Sequence, residues 1–366
     1  MGFNCGIVGL PNVGKSTLFN ALTETAQAEA ANYPFCTIEP NTGRVSVPDE
    51  RLRKIAKISK SAQEVPTWLE FVDIAGLVRG ASKGEGLGNK FLGHIREVAA
   101  IVHVLRCFDD GGVTHVEDSV DPIRDAEIVE TELMLADLES LEKRIGPMEK
   151  RAKSGDKEAK SLLPLMQRVL AVLQDGQPAR TVTVSDDEAP AFRALQLITA
   201  KPVLYVCNVD EESAAEGNEL SARVAEMAAA TGQSCVLVSA AIEAEVAQLG
   251  SAEEKAEYLE SLGLTETGLA RVIRAGYELL HLITYFTSGP KESRAWTIAR
   301  GTRAPQAAGV IHTDFEKGFI RAETISYDDF VSLNGEQGTK EAGKMRLEGK
   351  EYVVQDGDIM LFRFNV

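Results

Sequence analysis

The sequence predicts an α/β fold on a mostly parallel sheet, with an antiparallel helical hairpin inserted into it and a small strand-rich domain at the C-terminal end. Three observations carry this expectation. Over residues 1–120 short apolar runs (CGIVGL, WLEFVDI, AIVHVLRCF) alternate with longer stretches of helical periodicity, such as residues 15–22 and 89–99. That alternation calls for parallel strands joined by crossover helices. Residues 121–199 lose the strand character, and IVETELMLADLESLEKRI places Ile128, Leu135, Leu138, Leu141 and Ile145 at the mixed three and four spacing of an amphipathic helix. Sheet character then returns in KPVLYVCNV and QSCVLVSA, so residues 1–120 and 200–281 read as one domain interrupted by the hairpin.

The first apolar run leads into GLPNVGKST, residues 9–17. Gly9, Gly14, Lys15 and Ser16 match GxxxxGK[ST] between a strand and a helix, the context that a P-loop requires. Its glycines let backbone N–H groups approach phosphates, the helix N-terminus adds a favourable dipole, and Lys15 supplies a cation to the outer phosphates. Asn12, Val13, Gly14, Lys15, Ser16 and Thr17 are therefore the expected phosphate cradle, Lys15 acting also in hydrolysis and Ser16 on Mg2+. The expected ligand is a nucleoside triphosphate with magnesium.

NYPFCTIEPN, residues 32–41, is a loop with two prolines. Its Thr37 is suited to close over magnesium and the γ-phosphate as a switch; the other reading is an ordinary connector. The buried run WLEFVDIAG ends in Asp73, with Gly76 three residues on. A carboxylate there acts on the metal through a bound water, and the Gly76 N–H can reach the γ-phosphate. Apolar Leu77 follows, so the attacking water must be oriented by another group. His94 in GHIREV, on the helix after the glycine-rich GASKGEGLG, is the candidate, and packing or capping of that helix is the alternative. Cys36 beside Thr37 reads either as a redox-sensitive thiol or as a small buried hydrophobe.

The hairpin turn is expected at residues 151–156, and the second helix runs through Leu162, Leu165, Val169, Leu170 and Leu173. From residue 282 onward TIARG, GVIHT, FIRAETIS and EYVVQDGDIMLFRFNV read as strands, the last with a hairpin at its Asp-Gly-Asp turn, so residues 282–366 form the separate domain. Near the hairpin tip seven basic residues (Lys143, Arg144, Lys150, Arg151, Lys153, Lys157, Lys160) outnumber three acidic ones. In the last domain Lys291, Arg294, Arg300, Arg303, Lys317 and Arg321 interleave with Trp296, Phe315 and Phe319. That pattern suits RNA contact by charge and stacking, although alternation makes the aromatic residues equally suited to a core.

A net charge of -16 excludes wrapping nucleic acid with the whole surface and leaves only local basic faces. The five cysteines are scattered without a CxxC pair, which argues against zinc and fits a reducing compartment. The opening MGFNCGIVGL lacks a basic leader, and no apolar run approaches the roughly 18 residues of a membrane span. A cytoplasmic monomer without a membrane partner is expected.

GLPNVGKST, NYPFCTIEPN, DIAGLVRGASKGEGLGNKFL, HIREV and RAWTIARGTRAPQAAGVIHTDFEKGFIRAE together resemble the YchF subfamily of Obg-like ATPases, over essentially the whole chain. The resemblance implies a GTPase-type P-loop core, an inserted antiparallel helical pair, a C-terminal TGS (β-grasp) domain, association with the ribosome and a preference for ATP over GTP. It favours His94 as the group that orients water, and it implies contact of the hairpin and TGS domain with ribosomal RNA of the large subunit. By likeness to related potassium-stimulated NTPases, the Asn12 amide oxygen is a candidate ligand for K+. Gly93 and Ala99 stand where related sequences commonly have Ser and Asp.

GTPases of this class read guanine with NKxD, whose Asp accepts both N1–H and N2–H. Here YVCNVDEE keeps Asn208 but has Val209 for Lys and Glu211 for Asp. An unpaired buried polar group costs about 1 to 3 kcal/mol, so an altered clamp removes much of the preference for guanine. Asn208 is then the candidate partner for the adenine N6 and N7 edge, and by resemblance the Val209 backbone also meets the base. Ser239 and Ala240 match the SA element that helps to position it. Glu211 can still reach guanine, so an Obg-type GTPase stays open, as does a nucleotide-dependent ribosome-binding switch whose hydrolysis is incidental.

Overall fold

The computed structural model describes residues 3–30, 42–74, 87–109 and 119–365. The chain divides into two compact units, residues 1–44 with 70–276 and residues 45–69 with 277–366. The described residues form twelve strands: β1 (Asn4–Val8), β2 (Thr42–Ser46), β3 (Gln63–Val65), β4 (Trp68–Asp73), β5 (Ala100–Arg106), β6 (Val203–Asn208), β7 (Ser234–Val238), β8 (Leu282–Ser288), β9 (Glu292–Ala299), β10 (Phe319–Ile325), β11 (Arg346–Glu348) and β12 (Ile359–Phe364).

The first unit is organised on the sheet β2-β4-β1-β5-β6-β7, in which β4, β1, β5, β6 and β7 run parallel. β5 and β6 are buried at every position, as strands covered on both faces must be. The hairpin helices Pro122–Lys153 and Lys157–Gln174 leave the sheet after β5. Asp121 starts the first, its carboxylate accepting from the Ile123 N–H at 3.2 Å with Pro122 in the first turn, and Asp156 caps the second by accepting from the Ala159 N–H at 3.1 Å. Their shared core holds Leu141, Leu165, Met166, Val169 and Leu173, joined by Leu138 and Ile145. Leu135, expected on the apolar stripe, is instead exposed.

Helices Ala240–Gln248 and Gly268–Leu279 meet through Glu243, whose Oε1 accepts from the Gly268 N–H at 2.6 Å while Oε2 has no hydrogen-bond partner among the described residues. Burial pushes its pKa up to about 7, against the pull of the Gly268 and Leu269 N–H groups and Arg271. A carboxyl raised above its unfolded value near 4.3 takes up a proton on folding, so stability falls as pH rises from about 4.3 to 7. Glu243→Gln is expected to stabilise the protein by roughly 1 to 2 kcal/mol at pH 8. The gain should vanish below about pH 4.5, measured by urea unfolding across pH.

The second unit is the sheet β11-β10-β12-β8-β9-β3. β8 and β9 form an antiparallel hairpin, β12 lies parallel to β8 in the middle, and β10 pairs antiparallel with β12 and β11. With a helix between β9 and β10, this is the order of a β-grasp fold. Tyr285 stacks on Trp296 and meets Phe362 edge-on within its core.

Three expectations need correction here. Residues 45–69, read as part of the nucleotide-binding domain, fold with the C-terminal unit: β3 adds to β9 as an edge strand, and Leu52 and Ile55 of helix Glu50–Ser59 share a core with Phe286, Ala295, Ile325, Phe330 and Ile359. Arg51 secures that helix by bonding Asp49 and Asp356. GVIHT is the end of helix Ala304–Ile311, which begins with Pro305 in its first turn. The Asp-Gly-Asp turn makes no hairpin: Val353 bridges to Arg303, Asp356 accepts from the Thr284 N–H and Asp358 from the Gln355 N–H, so β12 pairs with β10 and β8 instead.

Candidate nucleotide-binding site

β1 ends at Val8 and the next helix, Lys15–Ala30, begins at Lys15, so residues 9–14 form a tight turn above the sheet. Gly9 (φ 155°) and Gly14 (φ 95°) hold positive φ, and so does Asn12 (φ 62°). A Cβ on Gly9 would lie 2.5 Å from the Val104 carbonyl oxygen, and one on Gly14 only 2.3 Å from Asn208 Nδ2. Both positions demand glycine for space as well as for backbone angle.

Lys15 is 7% exposed, and its Nζ folds back to donate to the Leu10 carbonyl. Burial draws its pKa down to about 8, opposed by the Asp73 carboxylate. Register in the sheet sets Asp73, the last residue of β4, beside Ile7 of β1, and the Ile74 N–H closes the ladder onto the Ile7 carbonyl at 3.2 Å. Burial raises the pKa of Asp73 and Lys15 opposes the rise, so the pair is a partly desolvated cation and anion at the mouth of the loop. Ser16 and Thr17 are exposed in the first helical turn.

Asn208, the last residue of β6, is buried and has a more specific task than its position in the sequence conveys. Its Nδ2 donates to the Val13 carbonyl at 3.0 Å, and its Oδ1 accepts from the Ala240 N–H at 3.0 Å. One carboxamide thus ties the P-loop to the SA element, leaving one hydrogen and one lone pair for any further partner. The Val209 N–H is committed to the Val238 carbonyl at 2.9 Å. Asp210 accepts from the Ser213 N–H, and Glu211 is exposed. Ser239, 2% exposed, precedes helix Ala240–Gln248, and its Oγ has no hydrogen-bond partner among the described residues.

The structure therefore brings together the P-loop, Asp73, Asn208, Val209 and Ser239. His94 is exposed on helix Leu87–Glu97 and takes no part in the Lys15, Asp73 and Asn208 contacts. Thr37, Cys36, Gly76 and Leu77 lie outside the described residues. Sequence reasoning missed the tether made by Asn208, and also His103, buried on β5, whose pKa burial lowers to about 3 with help from Lys15 and Arg180.

A buried cation at a glycine turn, N–H groups at the start of a helix and a carboxylate beside them form a receptor for polyphosphate. The hydroxyl of Ser16 and the carboxylate of Asp73 are hard oxygen donors of the type Mg2+ takes. Residues 4–137 match the family model MMR_HSR1, described as a 50S ribosome-binding GTPase, and residues 282–365 match YchF-GTPase_C, described as a protein of unknown function (DUF933). A Haemophilus influenzae protein, "Ribosome-binding ATPase YchF", is 60% identical over 366 residues and all of both chains.

The chain belongs to the YchF family. A Bacillus subtilis member with the same name is 54% identical over 368 residues, again across both whole chains. The solved structure titled "Structure of the Schizosaccharomyces pombe YchF GTPase" superposes with a TM-score of 0.90 at 40% identity, covering 99% of this chain and 98% of that one. The YchF fold, a P-loop GTPase domain with its own C-terminal domain, is thus the fold of this chain. P-loop proteins of this class generally bind nucleotide with Mg2+. Among the described residues no helix is long and apolar enough to cross a membrane.

Proposed function

We propose that this YchF family member is a cytoplasmic ATPase that binds the ribosome and couples nucleotide state to that binding. The observation that carries the choice of ATP is the altered base-reading element. Glu211 replaces the guanine-clamping Asp and is exposed, and the Val209 N–H is already spent on Val238. A base contact from Val209 then falls to its carbonyl, which accepts from the adenine N6 amino group and repels guanine O6. Asn208 uses its remaining capacity on the same edge, and Ser239 lines it.

In this reading the N–H groups of residues 12–17 and the Lys15 ammonium hold the phosphates, and Ser16, Thr37 and Asp73 hold Mg2+. The metal supplies neutralisation of the β and γ oxygens. Gly76 donates to the γ-phosphate, and His94 orients the attacking water as its helix turns about its fixed C-terminal end. Hydrolysis proceeds by positioning and charge stabilisation, with no covalent intermediate on the protein. The Asn12 amide oxygen is the candidate K+ ligand.

Exposed Lys150, Lys153, Lys157 and Lys160 at the hairpin tip support contact with large-subunit RNA. In the β-grasp unit Lys291, Arg300, Arg303, Lys317 and Arg321 are exposed, whereas Phe319 is core, Trp296 and Phe315 pack against it, and Arg294 lies over Trp296. Contact there rests on charge, not on stacking. The chain acts as a monomer.

Competition binding of ATP and GTP analogues tests the base assignment. ATP is expected to bind at least about five-fold tighter, and Glu211→Asp to narrow the gap by restoring the guanine clamp. Tighter binding of GTP by the unaltered chain would convert the reading to an Obg-type GTPase. Equal turnover with and without ribosomes would remove the coupling.

A further inference from the structure

One buried polar cluster of the first unit has no part in nucleotide binding as described above. Lys201, just ahead of β6, donates from Nζ to the Arg96 carbonyl at 3.0 Å and to the Val98 carbonyl. Those carbonyls lie at the C-terminal end of helix Leu87–Glu97, where the last turn lacks intrahelical donors and a cation also complements the helix dipole. Two residues before Lys201, the N–H and Oγ1 of Thr199 both donate to Asp137 Oδ2 at 2.7 Å, and the Ile198 N–H donates to Oδ1 at 2.9 Å. Asp137 belongs to the first hairpin helix and is fully buried. Arg96 and Lys201 each interact electrostatically with it.

Residues 198–201 thus tie two elements at once: the hairpin and the helix that carries His94. That helix also buries Phe91, Leu92 and Ile95. Apolar burial is non-directional and sets how deep a helix sits; directed bonds at its end set where it stops along its axis.

We propose that Lys201 is a positioning residue for hydrolysis: its grip on the end of helix Leu87–Glu97, at the joint with Asp137 of the hairpin, fixes where His94 stands. This rests on the assignment of His94 to the attacking water. Lys201 touches no nucleotide in this scheme, so its loss should alter turnover and leave ground-state binding intact.

The test compares Lys201→Met, Lys201→Arg and His94→Ala in the full chain, measuring kcat and KM for ATP, the Kd of a non-hydrolysable ATP analogue with Mg2+, and the thermal midpoint. Lys201→Met keeps the aliphatic stem and removes the donors. It is expected to lower kcat about ten-fold while the analogue Kd stays within about two-fold, since a misplacement of about 1 Å far from the chemistry is enough for such a loss. Lys201→Arg should recover to within about three-fold of the parent. Should Lys201→Met not fold, Lys201→Gln is judged by the same criteria. Unchanged kcat in the Lys201 variants, with His94→Ala impaired, overturns the inference and spares the assignment of His94. A fall in kcat, affinity and thermal midpoint together, not rescued by Arg, marks Lys201 as merely structural and also overturns it. Unimpaired His94→Ala overturns the assignment of His94, and the role of Lys201 falls with it.

Discussion

Lys15→Ala is expected to weaken ATP binding by at least about 100-fold and to leave no measurable hydrolysis. Lys15 is a cation already held in a buried position, its Nζ turned across the loop to the Leu10 carbonyl. A charge-assisted hydrogen bond contributes about 1.5 to 3 kcal/mol, and a lysine that meets two phosphates in a partly desolvated turn makes more than one. At about 1.4 kcal/mol per tenfold, the loss reaches two decades or more. Isothermal calorimetry with ATP and Mg2+ reads it directly. The same experiment carries a pH signature. Burial draws Lys15 down to about pKa 8, so the free protein loses this charge as pH rises through 8. Phosphate favours the protonated amine, hence affinity should fall between pH 7 and 9, and binding above pH 8 should take up a proton, visible as heats that depend on the buffer. Lys15→Ala should abolish that uptake. A variant that binds ATP as tightly as the parent would remove the loop cation from the mechanism.

Asn208→Ala is the second large effect. The substitution leaves the Val13 carbonyl and the Ala240 N–H without their partner, both in a buried place. At about 1 to 3 kcal/mol for each stranded group, a loss of roughly 2 to 4 kcal/mol of stability is expected. Nucleotide affinity should fall at least about ten-fold as well, because the P-loop loses the tether that keeps Gly14 packed against β6. Asn208→Asp should be no rescue: its carboxylate still accepts from Ala240, but it faces the Val13 carbonyl with a second acceptor. Chemical denaturation and calorimetry on the two variants decide the point. Parent-like stability and affinity in Asn208→Ala would show that the tether is dispensable.

The sequence made the nucleotide sheet and its phosphate loop readable because both depend on local pattern. A strand, a glycine turn and a helix follow one another within residues 4–30, and the buried runs of β5 and β6 have no other use. The hairpin was readable from period alone, with the error at Leu135 arising because a long helix changes partner along its length. What escaped reading was non-local. β3 is three residues long, and its partner β9 lies more than two hundred residues on, so nothing within Gln63–Val65 announces the pairing. GVIHT failed because a short apolar run does not separate strand from helix. The site divides in the same way. Spacing singles out Lys15, Ser16 and Asp73 as candidates, but it cannot tell that both ends of the Asn208 carboxamide are engaged, since that depends on three loops meeting above the sheet.

The membership of residues 45–69 in the C-terminal unit has a consequence for how the chain is made. During synthesis these residues emerge more than two hundred residues ahead of β9 and of the core partners Phe286, Ile325 and Ile359. Leu52 and Ile55 must therefore wait, unburied, while most of the polypeptide is elongated at about 5 to 20 residues per second, a delay of the order of ten seconds or more. Their final partner, β12, runs to residue 364. A chain that stops short of it leaves the apolar face of an amphipathic helix and a short unpaired strand uncovered, the kind of surface on which chaperones and proteases act.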